Sequence, residues 1–82
     1  MTKAVAHRID TDSEFAWGVI AAYDKYIHQN WGDTSENDKP LNDEAVETKD
    51  RIIASYNIGD ERIWLITDYG HEQTTILFPN EY

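Results

Sequence analysis

Three histidines, His7, His28 and His71, and sixteen Asp and Glu residues are the groups in this chain with chemistry beyond packing. Histidine and carboxylate hold metals or move protons when their spacing makes them converge. No two of these histidines stand four residues apart, the spacing that sets a zinc pair on one helix face. His71 lies in a turn near Asp68 and Glu72. That set would hold a cation weakly and reads first as a solvated turn. Asp43–Glu44 and Asp60–Glu61 are adjacent pairs of a kind common in acidic chains. A general acid needs a partly buried carboxyl, and nothing in the sequence places one in a pocket. The chain has no cysteine, so it offers no thiolate nucleophile, no thiolate metal site and no disulfide. Gly18, Gly32, Gly59 and Gly70 are isolated and make no phosphate-cradling loop. There is no Gly-x-Ser-x-Gly elbow. The expectation is a protein that is not an enzyme, with no catalytic residues, no metal and no cofactor.

Charge is the stronger signal. Sixteen acids face seven Lys and Arg, a net charge of −9, beyond the magnitude of roughly 2–8 that keeps a small domain soluble. Such a field repels nucleic acid and anionic membrane and attracts basic surfaces. The basic residues are single and unclustered, whereas DNA affinity comes chiefly from neutralised phosphates. Trp17, Trp31, Trp64 and the tyrosines therefore read as core or interface residues and not as base-stacking platforms. Residues 33–50 hold Asp33, Glu36, Asp38, Asp43, Glu44, Glu47 and Asp50 against Lys39 and Lys49 alone. On a continuous helix Asp43, Glu47 and Asp50 fall at i, i+4 and i+7, on one face, and such like-charge pairs cost a few tenths of a kcal/mol each. These seven acids are the candidate target-binding surface, imitating the spacing of phosphates. The bland alternative is a solvated face.

The elements that must carry these groups are short. Eighty-two residues make one α+β domain, which buries only about 60–65% of its unfolded surface. Residues 3–9 alternate weakly and suit an edge strand. Thr11, Asp12 and Ser13 offer N-cap side chains, with Glu14 in the first turn. Phe15, Val19, Ala22 and Tyr26 form one helical line and Ala16, Ile20, Tyr23 and Ile27 its neighbour. The two lines predict one long helix over 13–30 with a broad buried stripe, stopped by Gly32. Ser35 with Asp38 resembles a loose capping box, and Pro40 suits a first turn. These predict a short acidic helix, starting near residue 36 or 39 and ending at 48, draped on the surface. Strands follow at 51–56, 62–67 and 74–78, joined by turns at 57–60 and 68–73 into an antiparallel meander. Ile63, Trp64, Leu65 and Ile66 make the middle strand apolar on both faces. The long helix covers one face. The short helix, a second copy of the chain or a target protein must cover the other, with Trp64 and Ile66 as candidate interface anchors.

The stretches "WGDTSENDKPLNDEAV", "RIIASY", "IWLIT" and "TTILFPNEY" resemble a family of short proteins carried on plasmids, phages and other mobile elements. Its members are often labelled plasmid-related protein or, misleadingly, type I restriction subunit M. The likeness runs over residues 31–82, with Pro40 interrupting the acidic segment and Asn80 standing where an acid is common. It implies an accessory gene of a mobile element and no activity that transfers residue by residue. Met1–Arg8 is too short and too polar for a signal peptide, and no run nears the roughly 18 apolar residues of a membrane span. The expectation is therefore a cytoplasmic protein of a bacterial or phage-infected cell, contacting neither membrane nor nucleic acid directly. It would be an anti-defence inhibitor of a CRISPR or restriction nuclease, occupying a basic groove by DNA mimicry. The alternative is a non-catalytic interaction module, such as an antitoxin or a regulatory adaptor dimer. A small enzyme stands third.

Overall fold

The computed structural model describes residues Met1–Tyr82. Helices α1 (Lys3–Thr11), α2 (Ser13–Ile27) and α3 (Lys39–Thr48) precede strands β1 (Ile52–Ile58), β2 (Glu61–Thr67) and β3 (Thr74–Leu77). Single 3-10 turns occupy Tyr69–His71 and Pro79–Glu81. The strands pair antiparallel in the order β1-β2-β3, so the class is α+β.

Three short helices stand where one long helix, a short acidic helix and an edge strand over residues 3–9 were expected. The weak alternation of residues 3–9 yields to Val5 and Ile9, four apart, and to alanines that favour helix. Thr2 caps α1 by accepting from the Val5 N–H, and Val5 is fully buried. A single residue, Asp12, ends α1 and starts α2, with its carboxylate accepting from the Phe15 N–H. Arg8 reaches both Asp12 and Glu61 and so ties the helix junction to the β1–β2 hairpin. α2 stops at Ile27, three residues early, because Gln29 takes the left-handed conformation (φ 61°) that Gly32 was expected to supply.

The core lies between the helices and one sheet face. Phe15, Val19, Ala22 and Tyr26 of α2 meet Ile52, Ala54 and Tyr56 of β1, Ile63 and Leu65 of β2, and Ile76 of β3. Only the first of the two apolar lines of α2 is buried. Ile20, Tyr23 and Ile27 are 57%, 48% and 55% exposed. Three strands give too narrow a floor for a double line, and the second line overhangs it.

The other sheet face carries Ile53, Ser55, Trp64, Ile66, Thr75 and Leu77, as the strand register requires. The chain's own end covers much of it. The turn Pro79–Glu81 folds back onto β2. Its Glu81 accepts from the Phe78 N–H and the Thr2 hydroxyl. Tyr82 lies edge-on to Trp64 with ring centroids 5.4 Å apart, and the Arg51 guanidinium stands over the Tyr82 ring. Ile66 and Leu77 are buried as a result, while Trp64 is half-buried.

Candidate functional site: an acidic strap on the sheet edge

An edge strand presents unpaired N–H and C=O groups that invite another chain. On β1 those groups belong to Ile53, Ser55 and Asn57, and the acidic segment satisfies them. The Asp33 N–H donates to the Ser55 carbonyl (2.9 Å). The Ser55 N–H donates to Thr34 Oγ1 (2.9 Å). The Asn57 N–H donates to Asp33 Oδ2 (2.8 Å). The Asn42 side-chain amide takes both groups of Ile53, donating to its carbonyl (2.9 Å) and accepting from its N–H (3.4 Å). Residues 31–48 thus form a strap whose polar side chains replace a fourth strand.

Buried groups hold the strap in place. Trp31 packs edge-on against Tyr26 and donates its indole N–H to Asp43 Oδ1 (2.8 Å). The Tyr56 hydroxyl donates to the Asn30 carbonyl (2.7 Å). Burial raises the Tyr56 phenol well above its ordinary pKa, and it also raises that of Tyr26, whose hydroxyl bonds Thr67. Gly32 has φ +60°, and a Cβ there would lie 2.4 Å from the Tyr56 ring. The Ser35 hydroxyl accepts from the Asp38 N–H, and Pro40 sits in the first turn of α3.

All seven acids of residues 33–50 are exposed. They are not equivalent. Asp33 and Asp43 hold the strap, Glu36 pairs with Lys39, and Asp50 accepts from the Thr48 hydroxyl. Asp38, Glu44 and Glu47 have no partner in the chain. The i, i+4, i+7 face is shorter than expected: α3 ends at Thr48, Lys49 turns left-handed (φ 65°), and Asp50 lies beyond the helix. Of the two anchor candidates, Ile66 is enclosed by the chain itself and Trp64 lies under Tyr82.

A cleft of about 430 Å³ opens between α3, β1 and the C-terminal turn, lined by Asp38, Leu41, Asn42, Arg51, Ile53, Trp64 and Tyr82. Its Leu41 and Tyr82 are 60% and 62% exposed. No group of three or more His, Asp or Glu side chains is placed to hold a metal ion. The His71 ring is 2.8 Å from the Asp50 carbonyl, which ties the β2–β3 turn to the end of the strap. No helix is long and apolar enough to cross a membrane.

Sequence reasoning missed Thr34, Asn42 and the Trp31–Asp43 contact. Each joins residues eleven to twenty-one positions apart, so no local pattern announces them. No protein-family model, no curated protein and no solved structure matches this chain.

Proposed function

We propose that this protein is a non-catalytic inhibitor, encoded by an accessory gene of a mobile element. It occupies the basic nucleic-acid-binding groove of a host defence nuclease, a CRISPR effector or a restriction enzyme, in the bacterial cytoplasm. The supporting observation is that seven exposed acids sit on a segment already fixed to the sheet edge by side-chain hydrogen bonds. An ordered array of charges docks without the entropy cost that a flexible acidic tail would incur. Asp38, Glu44 and Glu47, free of internal partners, are the charges available to Lys and Arg of a target.

The test is affinity purification of the tagged chain from a bacterial host, followed by titration of the captured partner across salt concentrations. A nuclease with a basic groove, bound with an affinity that falls steeply with ionic strength, is the expected result. Reversing Asp38, Glu44 and Glu47 to Lys should weaken binding by at least about tenfold. Binding that ignores both salt and the reversal would remove the mimicry reading. A regulatory adaptor dimer or antitoxin is the second reading, favoured by the exposed apolar line of α2. Its interface would respond little to salt.

A further inference from the structure

Ala16, Ile20, Tyr23 and Ile27 follow one another at spacings of four, three and four residues, the spacing of the apolar seam in a coiled coil. Ile20, Tyr23 and Ile27 are about half exposed, and the adjoining Trp17 and Met1 are 71% and 59% exposed. Beside them lies a hollow of about 320 Å³ lined only by Met1, Val19, Ile20, Tyr23 and Ile76. Together these side chains form an apolar patch on the order of a few hundred Å², the size of the largest patch that a typical monomer exposes. It is enough for the centre of an interface of about 800 Å² per partner.

We propose that a second copy of this chain covers the seam, with the two α2 helices packed antiparallel across a two-fold axis. The charge distribution tells against a basic occupant. A basic partner is drawn to residues 33–50, with seven acids and two lysines, whereas α2 holds only Glu14, Asp24 and Lys25. A second chain of net charge −9 is repelled less at α2 than at the acidic segment.

The seam is also self-complementary. With the axis passing near residues 21 and 22, Ile20 of each copy packs beside Tyr23 of the other, and Ala16 beside Ile27. Every contact is made twice, as a two-fold interface requires. Trp17 and Asp24 flank the seam on one side, and the Asp24 side chain is 71% exposed. Antiparallel packing brings each Trp17 indole N–H towards the Asp24 carboxylate of the second copy. It also sets the two helix dipoles head to tail.

Sedimentation equilibrium of the full chain tests the proposal without any target, so its outcome is separate from that of the inhibitor reading. The unmodified chain should be a dimer. Ile20→Glu, at an exposed position, should raise the dimer dissociation constant by at least about tenfold with an unchanged circular dichroism spectrum. Ile27→Lys provides a second variant should the first misfold. Orientation is read by oxidising an equimolar mixture of the Ala16→Cys and Ile27→Cys single variants. These positions are about 16 Å apart along one helix, beyond the ~7 Å that a disulfide spans, and the chain has no native cysteine. A covalent heterodimer of the two variants supports the antiparallel seam. Cross-linking of either variant with itself would instead report a parallel pair and overturn the arrangement. A monomer at about 1 mM, or a dimer indifferent to both charged variants, would overturn the proposal and leave the seam to a different protein.

Discussion

The edge of β1 and the outer line of α2 are both surfaces that a small domain must manage, and this chain treats them in opposite ways. At the strand edge Ile53, Ser55 and Asn57 find partners in Thr34, Asp33 and Asn42. The acids of the strap then face water over a framework already satisfied within. On α2 the inward line is packed, while Ile20, Tyr23 and Ile27 stay half exposed. Under the two proposals above, the difference separates two ways of meeting a partner. The strap offers charge on a fixed scaffold, suited to fast, salt-dependent association. The helix offers apolar area, which gains free energy by leaving water, and between two acidic copies salt strengthens that contact by screening their repulsion.

The largest effect expected at either surface is at Gly32. Its φ of +60° disfavours any side chain, and a Cβ would meet the Tyr56 ring at 2.4 Å. Neither atom can yield, because Tyr56 is buried and its hydroxyl is held by Asn30. Gly32→Ala should cost about 3 kcal/mol or more, read as a lower urea midpoint. A variant as stable as the parent would show that the strap gives way freely and is no fixed scaffold.

Gly32 also marks where the sequence stopped being legible. Its position after Trp31 suggested a helix stop, since glycine and positive φ usually meet there. The positive φ is real, but it serves close approach to a tyrosine twenty-four residues away. The start of α2 was readable because Asp12 is a local cap, and β1 to β3 because branched and aromatic runs lie between turns. α1 was missed because Val5 and Ile9 make one helical pair only, too few to outweigh an apparent alternation. The half-exposed line on α2 was missed for a different reason. Periodicity tells which residues share a helix face, but the width of the sheet beneath decides how many of them are covered. The acidic surface was legible as composition. Its division into acids that hold the strap and acids that do not came only from contacts distant in sequence.

Asn42 and Ile20 sharpen the comparison directly. Asn42→Ala leaves the Ile53 N–H and C=O without partners at a half-buried edge and should cost about 2–3 kcal/mol. It should also speed hydrogen exchange at Ile53. Ile20→Ser removes an apolar side chain that the monomer does not enclose. At concentrations where the chain is monomeric its stability should stay within about 0.5 kcal/mol. Equal losses from the two substitutions would mean that the α2 line is part of the core after all.

The helix junction at Asp12 and the buried tyrosines should also weaken at opposite ends of the pH scale. The Phe15 N–H, and after it Arg8, hold the Asp12 carboxyl below its ordinary pKa. Its contribution is present above the unfolded value of about 4 and is lost as pH falls through the lower folded value. The junction of α1 and α2 should therefore loosen in acid, and Asp12→Asn should flatten that limb of the stability profile. Burial raises the Tyr26 and Tyr56 phenols. Their contribution is constant below the unfolded value of about 10 and declines as pH rises above it, because the unfolded chain ionises first. Tyr56→Phe should reduce the alkaline loss. Urea midpoints between about pH 2 and 11 give both limbs, and a Tyr56→Phe profile that matches the parent above pH 10 would break the assignment.

The smallest effect lies within the acidic strap itself. Asp43 and Glu47 are one turn apart on α3, and charge alone makes them equivalent. Asp43 accepts the indole N–H of Trp31, whose ring is 5% exposed. Glu47 is exposed and makes no side-chain hydrogen bond or ion pair in the chain. Asp43→Ala strands a buried donor and should cost about 1–2 kcal/mol. Glu47→Ala removes an i, i+4 repulsion and should be neutral or stabilising by a few tenths of a kcal/mol. That gain should fade in high salt, where the repulsion is screened. Urea midpoints at low and high ionic strength measure both. If the two substitutions cost the same, Asp43 does no structural work beyond its charge. If Glu47→Ala alone destabilises, α3 holds that carboxylate through a contact that the strap's hydrogen bonding does not contain.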